Sequence, residues 1–507
     1  MKTTDAFPQY PDSYWIASSE PMTFPALKED IQADAAVVGG GISGITTALL
    51  LAREGLDVVL LEAGELLKGT TGHTTAKVTA QHDLIYHELI QHVGLEKAQY
   101  YYHANQEAIQ FIKELVQEKS IDCGLIDQDA YIYTNDEQYL RKLELEMKAY
   151  EQIGIHGELV QSMPLSLSMK QALVMRNQAQ FHPLHYLYAL VRMFMKLGGK
   201  IYEHTTVTTV ENAPEPKLVT RDGHHVTCRH AVSCSHFPFY DGMGFYFSRM
   251  HAERSYVLGV KSSEPYPGGM YIRAEDPTRS IRSTSMANGD TLLLVGGEGH
   301  KTGQGVCTIR HYEALQTFAM EQFKVEDIPY RWSTQDLVTL DKIPYIGQIS
   351  SGVQNVYVAT GYRKWGMTQG TLAALLLRDT ILGRDNPYQA LYTPSRFHAD
   401  PDIKTFVVQN ADVAKHLIAG KLEMVRKKPE DLEVGEGDVV TVDGQRAGAY
   451  RDAQGVLHMV DTTCTHMGCE VEWNAGDLSW DCPCHGSRFS IDGEVMEGPA
   501  KRPLTQL

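Results

Sequence analysis

The sequence has no apolar run near the roughly 20 residues that span a bilayer, and no run of lysine and arginine. Its N-terminal stretch, Met1–Pro21, has one lysine, several prolines and no apolar core, so neither a secretory nor a twin-arginine signal is visible. A formal charge of −17 at pH 7 would repel nucleic acid and anionic lipid. These absences predict a cytoplasmic protein that has no transmembrane segment, binds no nucleic acid and works on small molecules or redox partners.

At 507 residues, with 43% hydrophobic and 21% charged residues, the chain has the composition of a globular protein. The length predicts two or three domains at about 150 residues each, enough to bury a large cofactor. Of its eight cysteines, four are scattered singly and are predicted to be buried, reduced thiols. These are Cys123, Cys228, Cys234 and Cys307. The other four share one short C-terminal stretch.

The segment "ADAAVVGGGISGITTALLLAREGLDVVLLEAG" carries a nucleotide-binding pattern. A short apolar strand turns through Gly39-x-Gly41-x-x-Gly44 into a helix that ends at Arg53, and a second strand ends on Glu62. In a βαβ unit such glycines let a pyrophosphate approach the helix N-terminus, and the acid can accept hydrogen bonds from a ribose. The pattern predicts a dinucleotide site but does not separate FAD from NAD.

A second glycine loop, in "NVYVATGYRKWGMTQGTLAALLLRDTILG", favours a flavin. It joins a predicted strand, 356–359, to a predicted helix, 368–382. The free N–H groups around Gly366, Met367 and Thr368 would face a flavin pyrimidine edge and stabilise the charge that a flavin gains on reduction.

These stretches, with "GTTGHTTAKVT", "FHPLHYLYALVRMFMKLGGKIYEHTTVTTVE" and "YRWSTQDL", resemble the FAD-dependent oxidoreductase family of D-amino-acid, glycine and sarcosine oxidases over roughly residues 30–385. The resemblance implies bound FAD and a set of cofactor-binding residues. By matching position these are Gly39, Gly41, Ser43, Gly44, Glu62, His73, Val207, Gly361, Gly366, Met367 and Thr368.

The family's fold class is α/β, with a Rossmann-like FAD-binding part and an α+β substrate part. The resemblance places the whole oxidoreductase at 1–384. It assigns the FAD-binding part to about 30–119, 176–244 and 341–384, and the substrate part to about 120–175 and 245–340. A connector, 385–423, is predicted to be helical from Val407 to Leu422.

The C-terminal cysteines form a ligand pattern, Cys464-x-His466 followed by Cys482-x-x-His485. Two thiolates and two imidazoles suit either zinc or a Rieske [2Fe–2S] centre. Zinc needs only four ligands, yet each half of the pattern holds a further cysteine beside glycine-containing loops. The extra cysteines favour the iron–sulfur interpretation.

The pattern "CTHMGC…CPCHGS" resembles the Rieske module of the cytochrome bc type. The resemblance implies that Cys464, His466, Cys482 and His485 bind the cluster and that Cys469 and Cys484 form a disulfide. It also implies that Gly498–Ala500 covers the cluster and that Ser487 donates to a cluster sulfide. Phe489 stands where high-potential relatives have tyrosine, which predicts a potential in the lower or middle part of the roughly −150 to +300 mV Rieske range.

The segment from Met424 to Leu507 alternates apolar and polar residues between glycine-rich turns, as small antiparallel sheets do. We expect an all-β Rieske domain over 424–507.

Several polar residues are candidates for work on the substrate. Lys364 lies in the flavin loop, and His73 occupies a segment where some relatives attach FAD covalently. Other residues of the substrate part offer groups that anchor a carboxylate or an amine, although most such residues have structural roles. They are Arg254, Tyr256, Trp332, Gln335, Asp336 and Tyr345.

Together the motifs predict a flavin-dependent dehydrogenase for a small amine or amino acid. Hydride would pass to FAD, and electrons would then go singly to the cluster and on to an external acceptor, a protein or a quinone-like molecule. Three alternatives stay open: an NAD(P)H-fed or partner-fed flavin/Rieske reductase, a redox sensor, and an oxidase with a vestigial cluster. The first needs a second nucleotide fold, and "LLLVGGEGHKTGQG" does not follow the fingerprint.

Overall fold

A computed structural model describes residue 8 and residues 11–212, 215–305, 308–397, 399–422 and 425–507. Cys307, predicted to be a buried thiol, and Met424, predicted to begin the last domain, lie outside these ranges. The described strands form four sheets, two large ones and two small ones.

The first large sheet has the parallel strand arrangement that is typical of nucleotide-binding folds. Its central strands run parallel in the order β17-β10-β1-β2-β7, with β16 antiparallel at one edge and the β8–β9 hairpin attached to β10. Ala35–Val38 are buried, as expected for a central strand covered on both faces. The strands are β1 (Ile31–Val38), β2 (Val58–Leu61), β7 (Lys200–Tyr202), β8 (Val207–Asn212), β9 (Pro216–Thr220), β10 (His225–Ser233), β16 (Tyr345–Ser350) and β17 (Val353–Thr360).

The second large sheet is mostly antiparallel, in the order β15-β11-β14-β13-β12-β4-β6-β3, with β5 on β6. The β11–β15 pairing sets Glu253 opposite Asp336 and Arg254 opposite Gln335. The strands are β3 (Lys77–Val78), β4 (Ile126–Thr134), β5 (Gly157–Val160), β6 (Gln171–Gln180), β11 (Met250–Ser262), β12 (Met270–Arg273), β13 (Arg279–Ser285), β14 (Thr291–Lys301) and β15 (Val325–Thr339).

The helices cover these sheets, and α2 and α9, which follow β1 and β17, pack against each other. Single turns of 3₁₀ helix occupy Thr70–His73 and Pro429–Asp431. The helices are α1 (Tyr14–Ala17), α2 (Ile42–Arg53), α3 (Tyr86–Val93), α4 (Leu95–Lys119), α5 (Glu137–Ile153), α6 (Pro183–Lys196), α7 (Tyr246–Arg249), α8 (Ile309–Gln322), α9 (Gly366–Ile381), α10 (Gln389–Tyr392) and α11 (Ala399–Leu422).

The C-terminal part consists of two small antiparallel sheets. The tryptophans Trp473 and Trp480 pack together between them, with ring centroids 4.9 Å apart. Gly448 lies so close to this pair that an added Cβ would meet the Trp480 ring at 2.7 Å. The strands are β18 (Gly437–Val442), β19 (Gln445–Arg451), β20 (Leu457–Val460), β21 (Glu472–Asn474), β22 (Ser479–Asp481), β23 (Arg488–Phe489) and β24 (Val495–Glu497).

The α/β architecture and the small all-β part match the prediction, but two details differ. Strand β3 and the end of β6 pair within the second sheet, although 30–119 and 176–244 were assigned to the FAD-binding part. Helix α11 begins at Ala399 rather than Val407, since Pro401 lies in the first turn, where proline is tolerated.

Candidate functional site

A cavity of about 1360 Å³ lies between the two large sheets and the C-terminal part. It exceeds the 300–1,000 Å³ or so usual for a small-ligand pocket. Its walls come from the glycine loop after β1, strands β11, β14 and β15, and helix α11. The C-terminal part contributes Glu494–Lys501 to the lining.

The predicted glycine loop lines one end of this cavity. Gly39 has φ +112°, and an added Cβ would lie 2.4 Å from the Cys234 carbonyl oxygen. A Cβ on Gly44 would meet the Gly39 oxygen at 1.8 Å. The loop and α2 therefore pack too closely against neighbouring backbone for side chains at Gly39 and Gly44, as the tight turn of a dinucleotide fold requires.

Glu62, Ser43 and Val207 also line the cavity. Glu62 accepts hydrogen bonds from the Gly40 and Gly64 N–H groups at 2.6 and 2.9 Å. Burial raises the pKa of Glu62, and these N–H groups oppose the rise. Together with the glycines, these residues suit the ADP part of FAD.

The second glycine loop reaches the cavity through Lys364, Gly366 and Met367. The structure places Gly361 and Thr368 behind the lining. Thr368 Oγ1 donates to the Thr79 oxygen at 2.9 Å, and Gly361 packs on Thr339. These two residues hold the loop instead of lining the cavity, because the positive φ of Arg363 and Lys364 turns the chain toward it.

His73 does not line the cavity. Its Nδ1 lies 2.9 Å from the Gly69 oxygen, and burial lowers its pKa. Thr71, Thr74 and Thr75 of the same segment line the cavity in its place. The 3₁₀ turn at Thr70–His73 places the histidine outside the cavity lining, and its contact with FAD stays a prediction.

Two predicted substrate residues, Arg254 and Gln335, serve the C-terminal part instead. Arg254 is fully buried, with Nη1 3.0 Å from Asp477 Oδ2 and Nη2 3.2 Å from Glu497 Oε2. Gln335 Nε2 donates to the Gly486 oxygen at 2.9 Å. Neither side chain lines the cavity, and the local sequence pattern does not reveal that another domain covers this side of the sheet.

Of the other four candidate substrate residues, two line the cavity and two do not. Tyr256 and Asp336 line the cavity, and the Tyr256 hydroxyl lies 2.9 Å from His300 Nε2. Trp332 and Tyr345 do not line it: the Trp332 indole N–H donates to the His73 oxygen, and Tyr345 packs under two arginines.

Lys77 is a cavity residue that the sequence patterns did not single out. Its Nζ donates to Ser280 Oγ at 2.7 Å. Burial, assisted by the charge of nearby Arg282, lowers the pKa of Lys77 to about 7. Within the described ranges neither cation pairs with a carboxylate. Because buried charges are normally paired, Lys77 and Ser280 are suited to an anionic group of a ligand.

The predicted cluster ligands meet at the tip of the C-terminal part. Cys464 and Cys482 lie within hydrogen-bond reach of each other. The His466 and His485 rings stand 5.0 Å apart at 89°. Burial lowers the pKa of both histidines to about 4, so each is neutral, and His485 Nδ1 is a buried atom without a hydrogen-bond partner. Paired thiols and neutral, unpartnered imidazole nitrogen suit a Rieske cluster.

The predicted disulfide between Cys469 and Cys484 is confirmed. A third sulfur, that of Cys482, lies within 4.8 Å of both. Since the first two are joined to each other, this trio is not a separate metal site. The bridge ties together the two loops that carry the ligands.

The cluster loops also contact the cavity wall. Ser487 Oγ accepts from the Ala500 N–H at 3.0 Å, and Gly498–Ala500 line the cavity. The ring of Phe247 lies 5.8 Å from that of His485 and 6.1 Å from that of His466. The Ser487–Ala500 hydrogen bond therefore links a candidate cluster loop to a residue that lines the cavity, whereas Phe247 packs on the two histidines outside the cavity lining.

Among the described residues, no helix has the length and apolarity needed to cross a membrane.

Comparison with known families gives two matches. The FAD dependent oxidoreductase family matches residues 34–380. The Rieske [2Fe-2S] domain family matches residues 423–507.

Individual relatives agree with these matches. YhfW of Bacillus subtilis (strain 168), which bears the name of a Rieske 2Fe-2S iron-sulfur protein, is 52% identical over 497 residues, 98% of this chain and 97% of that protein. Gamma-glutamylputrescine oxidoreductase of Escherichia coli (strain K12) is 24% identical over 396 residues, 75% of this chain and 91% of that one. The solved structure of glycine oxidase from Geobacillus kaustophilus covers 72% of this chain and 99% of its own, with a TM-score of 0.61 and 18% identity.

Proposed function

The chain belongs to the FAD-dependent oxidoreductase family and carries a C-terminal Rieske [2Fe–2S] domain. We therefore propose that it is a dehydrogenase in which electrons pass from the flavin to the cluster of the same chain. It oxidises a small amino acid or amine, and the electrons pass singly through the cluster to an external acceptor. One observation carries this proposal: Glu494–Lys501 of the Rieske domain line the same cavity as the FAD-binding loop Gly39–Ser43.

FAD, when bound, accepts two electrons as hydride and can release them one at a time, whereas a [2Fe–2S] cluster takes one electron. The residues of this chain supply binding and position. The glycine loop at α2 and Glu62 would hold the ADP part. The N-terminal N–H groups of α9, at Gly366 and Met367, would stabilise negative charge on the flavin ring.

A direct polar link joins the cavity wall to the cluster loop. Asp336 lines the cavity, and the next residue toward the start of β15, Gln335, donates its amide N–H to the Gly486 oxygen. Gly486 follows the cluster ligand His485 in the chain. The link supports a short route for electrons from the cavity to the ligand loop.

Buried charges hold the Rieske domain in this position. Asp477 Oδ2 lies 3.0 Å from Arg254 Nη1 and 3.3 Å from Arg488 Nη2. Glu497 also contacts both arginines, at 3.2 and 3.5 Å. Since an unpaired buried charge is costly, any displacement of the domain that separates Arg254 from its carboxylates is disfavoured. The network therefore specifies one docked arrangement.

Lys77 and Ser280 support a substrate that carries a carboxylate. Both line the cavity, and Lys77 has no carboxylate partner in the described chain. A bound carboxylate would supply the missing charge and accept hydrogen bonds from both side chains. An amino acid provides this group together with the amine to be oxidised.

The alternative of an NAD(P)H-fed reductase has less support. The stretch at Leu292–Gly305 that contains the other glycine cluster begins in strand β14, in the middle of the second sheet, and lines the cavity through Gly296, Gly297 and Gly299. Gly296, Gly297 and Gly299 lie within an antiparallel strand that runs on to Lys301, not at a strand-to-helix turn, and their spacing does not follow the dinucleotide fingerprint.

The experiment that tests this function is an anaerobic screen of amines, N-methyl amino acids and D- and L-amino acids. Flavin bleaching and the Rieske EPR signal are followed in the same samples. We expect at least one compound of this class to produce both signals. Reduction by NAD(P)H, with none by any amine or amino acid, would overturn the proposal.

A further inference from the structure

The seam between the cavity and the Rieske domain holds a group of charged side chains that substrate binding does not explain. Glu253 and Asp336 stand directly opposite each other on β11 and β15. Both line the cavity, as do Lys364 and Glu497. Lys364 is the cation beside Glu253 and Asp336, whereas Glu497 is paired with Arg254 and Arg488.

Contacts within this group are unequal. Glu253 Oε2 lies 3.2 Å from Lys364 Nζ, and its Oε1 lies 3.2 Å from His251 Nε2. Asp336 Oδ1 accepts only a backbone hydrogen bond, from the Lys364 N–H at 3.1 Å, among the contacts recorded for the described residues. The Lys364 side chain therefore compensates Glu253 and leaves Asp336 without a cation of its own.

The electrostatics follow from this arrangement. Burial would raise the pKa of Glu253, but the His251 hydrogen bond and the Lys364 charge bring it down to about 2. Burial raises the pKa of Asp336 to about 6; Lys364 opposes the rise, whereas Glu253 and Glu497 add to it. Directly opposed like charges on paired strands are unfavourable, so Asp336 is the member of this pair that gains a proton.

Electron transfer from a reduced flavin to the cluster leaves a proton behind, which a carboxylate could accept. Hydride transfer delivers two electrons and one proton together, whereas the cluster accepts electrons only. Once both electrons have left, one proton remains for each substrate oxidised. That proton leaves the flavin N–H for a base, and a side chain that lines the cavity can serve as this base.

We propose that Asp336 is the base that receives the proton when electrons leave the flavin for the Rieske cluster. The inference rests on the proposed function. With FAD and the cluster bound, Asp336 would form an O–H bond as the flavin N–H bond breaks, and the two electrons would reduce iron from Fe³⁺ to Fe²⁺ in successive steps. Between these steps a one-electron acceptor reoxidises the cluster. The Asp336 proton then passes to solvent.

Position supports this assignment over the other acids. Asp336 adjoins Gln335, which contacts the ligand loop, so the proton-accepting group lies beside the proposed route of the electrons. Glu253 is held ionised by two partners, and Glu497 is paired with Arg254 and Arg488. Asp336 is the carboxyl group of the three that is free to change its charge.

The test uses the full-length holoprotein and light-driven flavin reduction with a sacrificial donor, so that no substrate is needed. Asp336→Asn keeps an oxygen for the Lys364 N–H but cannot take up a proton. Asp379→Asn is the control, since Asp379 is also buried but lies in α9 and bonds to Asn386, outside the cavity. Ferricyanide serves as the one-electron acceptor.

We expect the Asp336→Asn variant to reduce its cluster from the flavin at least about 100-fold more slowly at pH 7, within the range usual for loss of a general base. Infrared difference spectra should show a carboxylic acid band on electron transfer in the wild type and in Asp379→Asn, and none in Asp336→Asn. A wild-type transfer rate and an unchanged band in Asp336→Asn would overturn the proposal.

A second measurement covers the case in which Asp336→Asn does not fold. In the wild type, the transfer rate should rise with pH through about 6 as Asp336 loses its proton, and it should be slower in deuterium oxide. A rate independent of pH and of the isotope would refute the role of Asp336. A wild-type cluster that stays oxidised after flavin reduction would instead refute the proposed function itself, and with it the need for this base.

Discussion

The Rieske site and the flavin cavity are assembled over very different lengths of chain. All four candidate cluster ligands and both disulfide cysteines lie between Cys464 and His485, on two loops that one bridge joins. The cavity draws its lining from segments as distant as Gly39 and Lys501. The local site contains its chemistry within one motif. The distributed site depends on how the domains dock, and the Rieske domain itself closes one of its walls.

The largest difference between the two sites is expected when a candidate cluster ligand is removed, since this should abolish the cluster but spare the flavin site. In Cys482→Ser we expect no Rieske EPR signal and a fall of about 100-fold or more in ferricyanide reduction by substrate, because one thiolate ligand is lost. FAD content and substrate-driven bleaching should persist, since Cys482 does not line the cavity.

Cys228→Ser, at a buried thiol in β10, is the matched control and should keep both signals. Unchanged ferricyanide reduction in Cys482→Ser would show that electrons leave the flavin by another route.

Breaking the buried charge network should loosen the docking while leaving each site intact. Arg254→Met leaves Asp477 and Glu497 without one of their two arginines, and loss of one partner of a buried pair costs about 3–5 kcal/mol. We expect faster hydrogen exchange in β21–β24 and slower transfer from flavin to cluster.

Arg176→Met is the comparison, because the 41% exposed Arg176 side chain pairs with Asp129 at the surface. Such pairs contribute about 0–1 kcal/mol. Equal effects of the two substitutions on exchange would contradict the docking role of Arg254.

Lys77 tests the substrate side of the cavity alone. Lys77→Met should weaken the binding of acetate or benzoate to the oxidised protein about 10–100-fold, as expected for the 1.5–3 kcal/mol of a charged hydrogen bond. Perturbation of the flavin absorbance by the carboxylate measures this binding.

The affinity of the wild type for carboxylates should change with pH in one direction. Lys77, with its pKa near 7, is charged below that pH and neutral above it, so wild-type affinity should fall as pH rises through this range. The variant should show no such fall. Lys170→Met, at an exposed lysine paired with Glu137, should bind carboxylates as the wild type does; equal loss in both variants would exclude a specific site at Lys77.

The smallest effect is expected at the cluster. Phe489 is fully buried among the cluster cysteines, and Phe489→Tyr would add a hydroxyl donor there. A net hydrogen bond of about 1 kcal/mol corresponds to a rise of about 40 mV in a one-electron potential. A redox titration monitored by EPR measures it, and a fall in the midpoint would contradict the expected donor role.

The same contrast between the two sites explains what the sequence could predict. The ligand pattern with two additional cysteines predicts the Rieske site because its chemistry depends on spacing within one segment. Glycine loops at Gly39–Gly44 and Gly366 predict the FAD-binding end for the same reason. Each is a short-range pattern in which backbone geometry requires particular residues.

Residues whose role depends on docking could not be assigned in this way. Arg254 and Gln335 alternate with Glu253 and Asp336 on the same two strands, and only the position of the Rieske domain decides which pair faces which cofactor site. Lys77 lies in a strand with an ordinary sequence pattern. Only the folded structure shows that, among the described residues, no carboxylate pairs with its ammonium group. The position of His73 outside the cavity lining also depends on a 3₁₀ turn that the sequence pattern does not indicate.

Rapid-freeze EPR during a single anaerobic turnover shows whether electrons pass from the flavin to the Rieske cluster of the same molecule. The wild-type holoprotein is mixed with a substrate from the amino-acid or amine screen, and flavin absorbance and cluster signal are recorded over time. We expect flavin bleaching to come first and the Rieske signal then to grow at the expense of reduced flavin within the same molecule, independently of protein concentration. A flavin that stays reduced beside an EPR-silent cluster, or a cluster signal whose rate rises with protein concentration, would contradict this expectation.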